Sequence, residues 1–421
     1  MNKYLYILGL VGAALFSACS NSDDLSIGDS SAVGEAKESA LIFEASQDSE
    51  VPITLGADQS RGLTRAPMDE FTTSDLAVFC LATGTQTGAN IPTAIRKNNW
   101  SNDVDGDLGG LLVKMNNVSA SVSEGNVSYT GEYYYPEASW MKYNYYAYSP
   151  KQADSNVTFT SSGNQVSVTF KALDGVHDVI WGRAYPDNPD SEHATGHDPY
   201  CADYFRFNTT SEGPQFMFEH KLVHFKFFVK LPAEPYYYKI SDPSDTITPD
   251  EYDALSEEDK ADYAQLVVKV TDMYISNAIK QLSLILANKK DTTLNGKVTP
   301  ATNKIRTLRI KWDADEEDAD EDRFDGSDEK AISVTALTEE NAQEVGYLML
   351  PAPPYLSDPN DSEGFRYRIE GTVTFTDGTG DQAILIDMIP PLLLKENPND
   401  PDEYGFEPGK IYNIIINIKK N

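Results

Sequence analysis

Helical spacing of apolar residues is scarce along these 421 residues. Val, Ile, Thr, Tyr and Phe recur instead in short runs broken by Gly, Pro, Asn and Asp. Branched and aromatic side chains pack well on a pleated surface and the breakers supply turns, so the pattern predicts strands. The clearest run is the last. Tyr412, Ile414, Ile416 and Ile418 alternate with Asn413, Ile415, Asn417 and Lys419, which makes one face fully apolar. An all-β fold follows, and the length allows two sandwich domains, each with its own core, behind a leader.

The leader begins with Lys3 and an apolar run from Leu5 to Phe16, too short to span a bilayer. Ser17 and Ala18 then lead into Cys19, the pattern of a lipoprotein signal over residues 1–18. Thioether attachment of diacylglycerol at Cys19 would hold the chain to a membrane, acyl chains contributing about 0.8 kcal/mol per buried CH₂. Residues 19–65 form a tether and a candidate removable strand. Its first part is rich in Ser, Asp, Gly and Glu, and extended runs follow at 40–45 and 51–56. Val51, Ile53 and Leu55 share one face of the second run, and Pro52 keeps it from a sheet centre unless its missing N–H faces outward. The basic, turn-prone stretch 60–67, with Arg61, Arg65 and Ala66, is of the kind proteases reach easily.

A first domain is expected over 66–213 and a second over 214–421. The apolar run 76–81 predicts a buried strand, and 156–160 with 165–170 predicts a hairpin about Ser161-Ser-Gly-Asn164. Strands are expected in the second domain at 220–231, 267–275, 281–287, 305–312, 346–350, 367–375, 383–386 and 411–418. Thr248-Pro-Asp-Glu251 is a capping box with Pro at the first helical position, and Ser256 to Asp259 repeats it. A short helical insertion is therefore expected within 249–264. The tyrosines from Tyr133 to Tyr148 invite two readings: a core filled by rings at strand spacing, or an aromatic platform for glycans on a monomeric surface lipoprotein.

A net charge of -32 repels phosphates, which excludes nucleic acid as a partner. Of three cysteines, Cys80 reads as a buried strand residue and Cys201 lies in a polar loop; pairing between them stays open. His193 with His197 and His220 with His224 lack further ligands at zinc spacing. Asp103-Val-Asp-Gly-Asp107 lacks the distal Glu of a calcium loop, and the acidic run 313–329 reads as a hydrated loop. No nucleophile elbow, phosphate loop or dinucleotide fingerprint is present, so neither an enzyme nor a bound cofactor is expected.

Several landmarks in order resemble the fimbrillin family of pilus subunits: Ala18-Cys19, Thr64-Arg65-Ala66, 71–79, 145–150, 178–184, 218–222 and 406–412. The acidic stretch 20–24 is similar to the signal that sends Bacteroidetes lipoproteins to the outer face of the outer membrane. The resemblance implies two tandem transthyretin-like Greek-key β-sandwiches, exported as a lipoprotein precursor. It also implies a trypsin-like cut after Arg65 or Arg61, so that Val51, Ile53 and Leu55 leave a groove which a strand from another subunit fills. Partners would be other fimbrial subunits, the outer membrane through the lipid, and an adhesion target on a host or bacterial surface. With 411–418 expected to pair inside its own domain, a tip or minor subunit is the expected role.

Overall fold

The computed structural model describes residues 39–40, 44–47, 53–56, 64–65, 73–83, 100, 112–123, 126–131, 133–135, 142–185, 215–230, 237–310, 324, 331–334, 342–354, 364–376, 381–390, 393–394 and 404–417. The chain is all-β, with two short α-helices, Pro249–Asp253 and Glu257–Lys260, among the described residues.

Seven strands close on themselves in the order Ile180–Tyr185, Gln215–His220, Glu44–Gln47, Asn126–Tyr129, Val113–Ser123, Thr73–Thr83 and Lys142–Ser149, the last returning to the first. Alternation decides what fills the closed sheet. Leu76, Val78, Cys80, Tyr143, Tyr145, Phe216 and Phe218 point to its inner core. Ala77, Phe79, Leu81, Tyr146 and Tyr148 point outward, yet they are buried too. A second sheet, ordered Val157–Phe159, Gln165–Phe170, Leu282–Asn288, Val298–Pro300, covers them. Burial on both faces explains why 76–81 is an unbroken apolar run. Trp181 ties the layers together: its Nε1 donates to the Leu286 carbonyl at 2.9 Å. Lys221 Nζ lies 4.9 Å from the centre of the same ring. Gly296, at φ +73°, must remain glycine there, since a Cβ would sit 2.7 Å from the indole.

That second sheet joins residues from both sides of the 213/214 boundary expected from sequence. Gln165–Phe170 pairs antiparallel with Leu282–Asn288. Gln215–His220, expected to open the second domain, pairs with Ile180–Tyr185 in the closed sheet. The long strand expected over 220–231 is Leu222–Lys230, and a separate strand, Gln215–His220, precedes it; the break falls at Lys221, whose N–H turns aside to the Val179 carbonyl.

The remaining core lies between two further sheets. One is ordered Gln343–Pro351, Leu222–Lys230, Ile411–Asn417, Ile53–Gly56, Thr64–Arg65; the other is Ile305–Arg309, Val267–Ile279, Ile369–Thr376, Asp381–Met388. Phe225 anchors this core, with the rings of Phe406, Tyr367 and Tyr412 at 5.0, 5.8 and 6.1 Å. The helical insertion forms as its caps predict, with Glu251 N–H on the Thr248 hydroxyl at 3.3 Å and Thr248 N–H on the Glu251 carboxylate at 2.9 Å. It packs beside a small sheet of Tyr237–Lys239, Asp242–Ile247 and Tyr263–Gln265. Tyr237 stacks on Tyr252 of the first helix at 3.7 Å.

Candidate functional site

The expected processing and lipidation residues fall unevenly on the structure. Cys19, Val51, Arg61 and Ala66 lie outside the described residues, as do Cys201, His193, His197 and 103–107. Ile53 and Leu55 lie in Ile53–Gly56, and Arg65 ends Thr64–Arg65. These two strands pair antiparallel, Ile53 with Arg65 and Thr54 with Thr64. Thr64–Arg65 is the outermost strand of its sheet, so the residue expected before the scissile bond sits at an edge, held by two residue pairs. Opening so short a pairing costs little, and a protease could take up the freed extended backbone.

Two leader strands occupy two different sheets. Glu44–Gln47 runs parallel to 215–218 and meets Asn126 on its other side through Glu44 alone. It therefore closes the first sheet, and without it Gln215–His220 and Asn126–Tyr129 would become edges with unpaired backbone groups. The core is buried just beneath that seam: Phe216 and Phe218 are enclosed, with ring centres 5.7 Å apart. The expectation from sequence made Val51, Ile53 and Leu55 the strand that leaves a groove; in the structure Glu44–Gln47 lies in the closed sheet, while Ile53–Gly56 runs parallel to 411–413 of the last strand. Alternation of Val51, Ile53 and Leu55 signals a strand but not its sheet, because any half-buried edge accepts that pattern.

Other candidates resolve into packing. Tyr143, Tyr145, Tyr146 and Tyr148 are buried, so the core reading holds for these four rings, which present no face to a sugar. The Tyr148 hydroxyl donates to Asn117 Oδ1 at 2.6 Å, and Asn117 Nδ2 donates to the Gln152 carbonyl and Asp154. That network holds Asn117 at φ 53°, a left-handed conformation rare outside glycine. Cys80 carries a free thiol whose ionisation burial suppresses. Among the described residues no group of three or more His, Cys, Asp or Glu side chains could hold a metal ion.

The two strand histidines have separate environments. His220 Nδ1 lies 2.5 Å from Asp178 Oδ2, while Asp178 Oδ1 accepts the Leu222 N–H at 3.2 Å. The His224 ring packs edge-on to Tyr347 at 5.4 Å, its Nε2 sealed from solvent without a hydrogen-bond partner in the structure. Burial, with Lys226 and His220 adding positive charge, lowers its pKa to about 4. Both flank the point where the chain leaves the closed sheet. There Gly409 N–H bonds the Leu222 carbonyl at 2.8 Å and His224 N–H bonds the Lys410 carbonyl at 3.0 Å.

No protein-family model matches the chain, and comparison with curated protein sequences gives no match. Solved structures similar to it are adhesion and fimbrial proteins from Bacteroidetes. A candidate cell adhesion protein from Bacteroides uniformis is 13% identical with a TM-score of 0.36, over 90% of this chain and 94% of the other. A fimbrial protein from Bacteroides ovatus is 10% identical with a TM-score of 0.29, over 90% of this chain and 50% of the other. The fimbrial anchor protein Mfa2 from Porphyromonas gingivalis is 8% identical with a TM-score of 0.22, over 83% of each. Superpositions this loose fix neither family nor function.

Proposed function

We propose that the chain is an adhesive subunit of cell-surface fimbriae, exported as a precursor lipidated at Cys19 and assembled at the outer membrane by strand exchange. One observation carries the reading: Glu44–Gln47, upstream of Arg61 and Arg65, closes the first sheet between 215–218 and Asn126. A cut after either arginine separates that strand from the body covalently, leaving only pairing to hold it. Four paired residues on one side and one on the other are a weak attachment for a segment that costs about 1–2 kcal/mol per residue to order. A strand from another subunit supplies the same ladder bonds and alternate-residue contacts.

Ile411–Asn417 is paired along its length with Leu222–Lys230 of its own sheet, the internal pairing the sequence predicts. That commitment favours a chain that accepts a strand over one that donates its last strand, in keeping with a tip or minor position. The test is to incubate the full chain with an arginine-specific protease, sequence the new N-terminus, and follow polymerisation with its partner subunits by electron microscopy. Cleavage after Arg65 or Arg61, loss of the leader and growth of fibres are expected. A leader that stays intact, or is cut yet remains bound while fibres form, overturns the reading.

A further inference from the structure

We propose that the outer edge of Asp381–Met388 is a self-association site, pairing antiparallel with the same strand of a second copy of this chain about a two-fold axis at Leu385. The inference goes beyond the fimbrial reading and is independent of it, since no leader residue takes part. Among the described residues this strand ends its sheet, with Ile369–Thr376 on its one paired side.

Sheet edges are normally guarded against other chains by charge, proline, bulges or shortness, because open backbone groups template pairing. Other edges of this molecule carry such guards. Ile305–Arg309 bears Arg306 and Arg309 and pairs through a register shift. Gln343–Pro351 has a shift opposite Phe227 and Phe228 and ends in proline. Asp242–Ile247 holds Pro243 and also pairs through a shift, while Val157–Phe159 and Val298–Pro300 are three residues each. Asp381–Met388 has none of these: its eight pairs with 369–376 run without a shift, and it contains no Pro, Lys or Arg. Ile386 and Met388 turn toward the core, whereas Leu385 is 78% exposed and Ile389, just past the strand, 51%. Asp387 is ion-paired with Arg368, so its charge is already met and the edge offers apolar surface beside open backbone.

The order of residues suits self-pairing in one register. Residues that face each other across an antiparallel ladder are either both hydrogen-bonded or both not, so a two-fold pairing centres on a residue opposite its own copy. Centred on Leu385, Asp381 stands opposite Ile389 and Asp387 opposite Ala383. The two Leu385 side chains then meet with Cβ atoms about 4.5–5.5 Å apart, each covering the other. Centred on Ile384, Asp381 would stand opposite Asp387, and centred on Asp387 that residue would stand opposite its own copy. Like charges directly opposite are destabilising, which removes both registers. The strand order Ile305–Arg309, Val267–Ile279, Ile369–Thr376, Asp381–Met388 continues into its image across the axis. A two-fold contact uses the same patch on both copies, so the assembly closes as a dimer and does not grow into a fibre.

Sedimentation of the full chain tests this. At a net charge of -32 two copies repel, so dimerisation should strengthen about tenfold between about 0.05 and 0.5 M NaCl, the opposite of the response to a basic partner. Leu385→Lys places a charge at an exposed position and should leave the chain monomeric with its circular dichroism unchanged. Under copper phenanthroline oxidation Leu385→Cys should give a disulfide-linked dimer above the background of the parent chain. Ala383→Cys, which stands opposite Asp387, and Ile240→Cys, exposed elsewhere, should not. A chain that stays monomeric at high salt, a dimer that survives Leu385→Lys, or crosslinking of Ala383→Cys as fast as of Leu385→Cys overturns the proposal. None of these changes touches the leader, so cleavage after Arg65 or Arg61 succeeds or fails separately.

Discussion

Acidification should weaken this protein through His224, and the size of the effect follows from its surroundings. Burial is the main cause of a folded-state pKa of about 4, against an ordinary value of 6.5. Lys226, ion-paired to Glu344 at 3.2 Å, and His220, bonded to Asp178, are the charged neighbours on its own segment. Lys410, ion-paired with Glu407, lies in the loop whose backbone meets His224. Because the folded pKa is depressed, the unfolded chain takes up a proton between pH 6.5 and 4 that the folded chain refuses. Stability is therefore full above 6.5 and falls as pH drops through that window. From pH 7.5 to 5 the loss from this one group is about 2 kcal/mol, and it approaches about 3 kcal/mol near pH 4. Carboxylates titrate in the same range, so the informative quantity is a difference. His224→Phe keeps a ring against Tyr347 and removes the titration. Urea denaturation of both proteins at pH 7.5 and 5.0 should show the parent losing about 2 kcal/mol more than the variant. Equal losses within about 0.5 kcal/mol would refute the argument that burial keeps this imidazole neutral.

Two further outcomes follow from packing. A Cβ on Gly371 would stand 2.4 Å from the Asp272 carbonyl oxygen, a backbone atom that cannot swing away. Gly371→Ala should therefore cost roughly 1–3 kcal/mol in a urea titration, and a neutral result would mean that the strands separate locally without penalty. Phe225→Ala removes the ring on which Tyr367, Phe406 and Tyr412 converge, and should cost about 3–5 kcal/mol by the same measurement.

Local signals were strong where backbone geometry is decided by near neighbours in sequence. The capping box at Thr248 needs only residues three apart, so Pro249–Asp253 was legible. The alternation from Tyr412 to Ile416 named the buried face of its strand, because side-chain period alone sets it. Val113–Ser123 was harder to see. Val118, Ala120 and Val122 do alternate with serines, but the residues are small, and Asn117 adopts a left-handed conformation where the ladder with Thr73–Thr83 shifts register. The candidate cleavage residue Arg65 was legible as a sequence type only; its place in an edge strand beside Ile53 was not.

By itself the sequence determined that this chain is all-β, that its tyrosines suit a core, and that an apolar run ending in Cys19 precedes an extended, arginine-bearing leader. Only the tertiary structure decided which strands are neighbours. Gln165–Phe170 reaches past more than a hundred residues to Leu282–Asn288, and the leader's two strands go to two different sheets. The physical reason is that a strand's pattern records which face is buried, whereas its partner is chosen by the competition of all available edges in the folded chain.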